Sequence, residues 1–429
     1  MNHNLSFPAD TLHNRGRSSV ANLGGFGFIA ALLLYALFSS PFPAEPGIAE
    51  ALIAVLLILF VSIPTGIIVM GGGFSLYRHY GTVPVVIHVG FFFLLWIGLL
   101  NGGVVYGWDM TDIIRDLIPC VYLFVPLLLL PAMKRSTLNW LAILPWIISV
   151  MGVILSIRFY VVVQISPLEV GRMYYFDNFL YLPYDPSVSF AGVFLPIMAV
   201  HTWKSSSPFR WLGSLVMLIG GFLALGSLMA VAQRAPLALA MLCFAVYFIV
   251  SSRKSMNKLI IGLIILIAAG MLAQEQISNS FELLVSKQED FGANGKTDEL
   301  AAVLAETSAS PYSMLLGVGW GGLFHDPAVN NILVSYTHSA VSFFLLKGGL
   351  IGIAVLMTYL IWILYRALQR FTITMLPYML AAFVPIIIGL LFQVSYKTLS
   401  YGMILTMICL IHKDPGSVHS GGEKNIPGQ

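Results

Sequence analysis

Where the polar stretch 274–337 gives way to an apolar run, the chain places His338 and Ser339. An imidazole titrates near neutral pH and can take a proton from an attacking hydroxyl, and the serine could hold either the ring or a substrate. The plainer reading is a histidine satisfied at an interface. Nine residues on, Lys347 lies about 13 Å further along a helix, so deep that it either lines a polar cavity or snorkels. Arg234 sits in the short turn Ala232-Gln233-Arg234-Ala235-Pro236 between two apolar runs. A charge so near hydrocarbon costs roughly 2.5–3.5 kcal/mol at mid-depth and less at the interface. Such an arginine either snorkels or offers its guanidinium fork to phosphate oxygens. Arg172 lies beside Tyr174 and Tyr175, rings suited to sugars; it reads equally as a substrate contact or as the partner of Glu169 or Asp177. Lys397, between two late apolar runs, is a further candidate cation. Arg115 reads as a local ion pair with Asp112 or Asp116, and Arg158 as a snorkelling residue. The mixed-charge stretch 287–306, with Lys287 and Lys296, reads as solvated surface.

Gly317-Val318-Gly319-Trp320-Gly321-Gly322 lacks the lysine and following serine or threonine of a Walker loop. It reads as a tight turn, with Trp320 anchoring the polar loop at an interface. Cys120, Cys243 and Cys409 all fall in apolar runs and read as small buried hydrophobes. The sequence shows no metal-ligand cluster.

The elements that must position these groups are membrane helices. The chain is 58% hydrophobic and 10% charged, against roughly 25% charged in soluble domains, with a mean hydropathy of +0.87. Its apolar runs are too long for membrane strands and suit helices of about 20 residues. The expected fold is therefore all-α and polytopic, a single membrane domain over 1–429. Twelve spans are expected, near 20–39, 47–70, 83–100, 113–132, 139–157, 187–203, 211–230, 235–251, 258–273, 339–365, 373–392 and 398–412. With the amino terminus inside, the inner segments hold fourteen of the twenty-two basic residues and only three of the nineteen acids. The positive-inside rule then puts both termini in the cytoplasm, a tail at 413–429 included, and the 274–337 loop outside. The first apolar run reads as an uncleaved anchor.

In their order and spacing, Gln233-Arg234-Ala235, the late outer loop, Leu316-Gly317-Val318-Gly319-Trp320-Gly321, His338-Ser339 and Gly348-Gly349-Leu350-Ile351-Gly352 resemble the O-antigen ligase and Wzy-type polysaccharide polymerase superfamily of bacterial inner-membrane proteins. The resemblance implies a membrane glycosyltransferase fold of the GT-C-like type. It implies transfer of a glycan from undecaprenyl diphosphate at the periplasmic face, with no metal or other cofactor. Polymerases of that group extend exopolysaccharide or O-antigen; ligases pass the glycan to the lipid A core. A flippase and a chain-length regulator are the implied partners, and nucleic acid is not. Arg234 and His338 would be the catalytic pair, with Arg172, Lys397, Lys347 and Ser339 binding diphosphate or substrate. Ser339 stands where ligases often carry asparagine, which favours the polymerase. A transporter or flippase of lipid-linked glycans is the rival from another class. It would place ionisable groups near the midplane, where His88 is one possible polar group.

Overall fold

An apolar run in lipid must satisfy its own backbone, and where it cannot, a side chain has to do so. Both cases occur in the computed structural model, which describes residues 9–39, 47–74, 82–164, 166, 181–202, 210–252, 278, 296–327 and 331–411. Its helices are α1 (Ala9–Phe38), α2 (Ile48–Val61), α3 (Ile63–Met70), α4 (Thr82–Leu100), α5 (Met110–Leu123), α6 (Pro126–Arg135), α7 (Trp140–Val163), α8 (Pro186–Thr202), α9 (Arg210–Ala230) and α10 (Arg234–Ser252). After these come α11 (Lys296–Thr307), α12 (Pro311–Leu316), the antiparallel pair β1 (Phe324–Asp326) and β2 (Ile332–Val334), α13 (Ala340–Gln369), α14 (Leu376–Leu391) and α15 (Leu399–Leu410). Among the described residues, six helical segments are long and apolar enough to cross a bilayer alone, and two bent pairs raise the number to eight. This is a membrane-embedded, mostly helical protein. The expected span 258–273 lies outside the described residues.

Two expected spans are broken. The run 47–70 bends by 84° between α2 and α3, and the run 113–132 bends by 49° between α5 and α6. A proline follows each break, Pro64 and Pro126, and neither can donate the amide that would continue the helix. Arg135 repairs the first break, donating to Val61 O at 2.7 Å and to Ser62 Oγ at 3.1 Å. Arg158 does similar work at the end of α1, donating to Ala36 O at 2.6 Å and Ser39 O at 2.7 Å, so it caps a helix rather than snorkelling. His88 is buried with Nε2 on Val69 O at 2.6 Å, tying α4 to α3. The short helix α15 runs through the middle of the bundle, buried from Leu399 to Ile408 and packed on α5, α6, α7 and α13.

The long helix α13 is kinked at Gly349, whose φ of 61° and ψ of −154° suit only glycine. A Cβ there would meet backbone atoms of Leu315 and Gly317 at 2.5–2.6 Å. The kink frees two carbonyls, and the glycine-rich turn takes them: Val318 N donates to Leu346 O at 2.8 Å and Gly319 N to Lys347 O at 3.1 Å. On its other side the turn docks on α4, with Trp320 N on Gly98 O and Trp320 Nε1 on Leu94 O, both at 3.0 Å. Trp320 is therefore a buried wedge between α4 and α13, not the interfacial anchor expected of it.

Lys347 neither lines a cavity nor snorkels. It is fully buried, 2.6 Å from Asp116 Oδ2, and its ammonium also donates to Gly322 O. Asp116 accepts in addition from Gly321 N at 2.9 Å. One carboxylate and one ammonium thus join α5, α13 and the glycine-rich turn. Removing one partner of such a pair strands a buried charge and typically costs about 3–5 kcal/mol. Lys347→Met should accordingly lower the melting temperature in detergent sharply. The double variant Asp116→Asn with Lys347→Met should melt closer to the native protein than the single variant does.

Candidate functional site

Ser339 is the N-cap of α13, its Oγ accepting from Ser342 N at 3.0 Å. That role, rather than substrate binding, is where the structure places it, and it fixes the backbone from which His338 projects. His338 N donates to both carboxylate oxygens of Glu299, at 3.0 and 3.1 Å, and His338 Nδ1 contacts Glu299 Oε2. Glu299 is 1% exposed. It lies on the inner face of α11 with Val303 and Thr307, spaced four residues apart and all buried. Val303, Val318, Phe324, Val334, Leu345 and Leu346 form a second small core under this loop. The stretch 287–306 was expected to be solvated. Most of its described portion is exposed, but it also carries a buried acid held against a candidate base.

Asp326, buried at the end of β1, completes a cluster. One ligand atom each from Glu299, Asp326 and His338 lies within 4.8 Å of the others, a spacing that could hold a cation. No such cluster is visible in the sequence, because the three residues are far apart in the chain and only the α11 and β1–β2 packing brings them together.

The His338 side chain is 29% exposed and lines a cavity of about 2380 Å³. Ordinary small-molecule pockets measure roughly 300–1,000 Å³, so this one is larger than such a pocket. Part of the lining is polar. Arg115 reaches from α5 to Ser335 Oγ at 2.8 Å while also contacting Asp112, and Arg234, Gln233, Gln393 and Lys397 contribute from the turn before α10 and the turn before α15. Much of the rest is apolar, with Ile53 and Leu57 of α2, Ile67 of α3, Ile118 and Val121 of α5 and Leu128 of α6, although the carboxylates of Glu50, Asp112 and Asp116 line it too. The breaks in these helices shape that wall, since Val61, Ser62 and Val125 also line it.

The candidates from the sequence thus divide. His338, Arg234 and Lys397 share the cavity. Lys347 and Ser339 are spent on the ion pair and the helix cap and do not line it. Arg172 lies outside the described residues. Arg115 does pair with Asp112, as its neighbours in sequence suggest, and its contact with Ser335 brings it beside the His338 segment as well.

Gln233 was visible in the sequence only as the neighbour of Arg234. It is 4% exposed; its Oε1 accepts from Gln393 Nε2 at 3.2 Å, and its own Nε2 has no partner among the described residues. A buried donor left unmet costs about 1–3 kcal/mol, and it belongs to a residue that lines the cavity next to Arg234. Lys397 lies over the Phe343 ring, its Nζ 4.5 Å from the centroid. Burial pushes its ammonium down to about 8, against the opposing pull of Asp116. The cavity that His338 lines is thus also lined by guanidinium, ammonium and amide groups.

Neither a comparison with protein-family models nor one with curated proteins finds a match for this chain.

Because the Lys397 ammonium is depressed, it is charged below about pH 8 and neutral above. If it contacts a diphosphate, affinity for that anion should fall roughly tenfold between pH 7 and 9, and Lys397→Arg should remove most of the fall. Titration of purified protein with inorganic pyrophosphate measures both.

Proposed function

We propose that this protein is a bacterial inner-membrane glycosyltransferase. On this reading it polymerises undecaprenyl-diphosphate-linked repeat units into exopolysaccharide or O-antigen at the periplasmic face, with both termini in the cytoplasm. The full span count is twelve and the fold is of the GT-C-like type. The observation that carries the reading is the cavity, one space lined by a partly exposed imidazole, two arginines, a lysine and two glutamine amides together with many apolar side chains of the broken helices. That combination suits a donor with a diphosphate head and a long hydrocarbon tail. A soluble sugar or a small ion has no use for so much apolar wall.

The chemistry follows from the leaving group. The acceptor hydroxyl oxygen forms the new bond to the sugar C1 as the C1–O bond to phosphate breaks, and that electron pair departs on the diphosphate. Arg234, Lys397 and Arg115 meet the charge that develops there, in fixed positions and away from bulk water. The acceptor proton passes to His338 and leaves to solvent when the products separate. No strong acid is needed, because a diphosphate is already a good leaving group. The loop elements α11 and β1, which bring Glu299 and Asp326 against His338, limit water, which would otherwise hydrolyse the donor.

Replacing either Arg234 or His338 with alanine should leave single lipid-linked repeat units to accumulate while the protein still inserts normally. Unchanged polymer length and amount in both variants would remove the assignment. A deletion strain separates the two transferase readings. Single units on lipid A or in the medium mark a polymerase, whereas full-length polymer stranded on its lipid carrier marks a ligase.

A further inference from the structure

His338 does not stand alone. Its amide and its Nδ1 all address one carboxylate, that of Glu299, which is 1% exposed and projects from a helix 39 residues earlier in the chain. Three contacts from one residue to one carboxylate fix both the backbone and the ring. A carboxylate that accepts from Nδ1 requires the proton on that nitrogen whenever the imidazole is neutral. Nε2 is then the nitrogen left with the lone pair, on a side chain that is 29% exposed and lines the cavity.

We propose that Glu299 is a positioning residue that holds His338 in its Nδ1–H tautomer, so that Nε2 is the proton acceptor at the cavity. The kinetic consequence rests on the transferase reading above; the tautomer itself does not. When Nε2 takes a proton from an acceptor hydroxyl, the ring becomes imidazolium with Nδ1–H still donating to Glu299. The carboxylate then lies against the new positive charge without itself gaining the proton. Tyr336 also packs on the ring, edge-on to the imidazole with centroids 5.9 Å apart. The charged stretch of the outer loop thereby acquires a mechanical role, because any displacement of α11 would release the base from its orientation.

The test uses the full-length protein in nanodiscs, labelled with ¹⁵N-histidine, and His338→Gln to assign the His338 resonances among the nine histidines. Spectra are recorded about two pH units above the ordinary histidine value, where the neutral ring dominates. The native protein should show the Nδ1–H tautomer at His338. Glu299→Gln, which can donate as well as accept, should shift the population towards Nε2–H, and Glu299→Asp should restore Nδ1–H in part. A native Nε2–H tautomer, or a Glu299→Gln spectrum identical to the native one, overturns the proposal. The native measurement alone decides it if the variants do not fold. So does metal analysis: a stoichiometric divalent cation that is lost in both Glu299→Gln and Asp326→Asn would mean that Nδ1 is a ligand and not a donor.

On lipid-linked glycan, Glu299→Gln should lower kcat about 10²-fold or more and leave KM within about threefold. A purely structural role would instead lower the amount of folded protein. If the tautomer result holds and no lipid-linked glycan is turned over, the positioning stands and the transferase reading fails. If turnover is found and the tautomer result does not hold, the reverse is true.

Discussion

The rest of this architecture depends on one buried ion pair. Asp116 and Lys347 sit deep in an apolar bundle, where neither charge could persist without the other, and each makes one further hydrogen bond to the glycine-rich turn. Around that point the kink at Gly349 opens two carbonyls, the turn fills them, and Trp320 closes the gap to α4. Because α13 is held there, its N-terminus and the preceding His338 are held too. Arg115, one residue before Asp116, is carried on the same anchored helix to the cavity wall. A buried pair of charges thus sets the distance between the base and part of the cationic wall.

Much of the helical layout could be read from hydropathy, since an apolar run in a membrane has few alternatives to a helix. The breaks were less legible. Pro64 and Pro126 are visible in the sequence, but prolines are tolerated inside membrane helices when neighbours re-satisfy the backbone. Whether a given one bends the chain depends on partners such as Arg135, 73 residues away from Ser62. Lys347 shows the same limit. Its depth along the helix was correctly an anomaly, and only the fold supplies Asp116 as the resolution. Arg158, a cation expected to reach for the interface, instead closes the end of α1.

At the candidate site, the sequence singled out residues whose type is rare in their surroundings: His338 at the start of an apolar run, Arg234 in a short turn, Lys397 between late spans. Those three share the cavity. It passed over Glu299, because an acid in a mixed-charge stretch looks like every other acid there. The sole signal was the spacing of Glu299, Val303 and Thr307 on one helical face, which is weak when the face begins with a charge. Loop segments that looked like a solvated cover turn out to hold their own small core and to deliver a carboxylate to the base. The proposed site is therefore assembled from two sources, cations and amides from the bundle and a dyad from the loop's edge.

The measurement that bears most directly on the proposed function is an electron-microscopy structure of the protein in nanodiscs with a polyprenyl-diphosphate-linked oligosaccharide. The account places the diphosphate within hydrogen-bonding distance of Arg234 and Lys397, the first sugar beside His338, and the prenyl chain along Ile53, Leu57 and Ile118. Lipid density confined to the outer surface of the bundle, with the cavity filled by water alone, would contradict it.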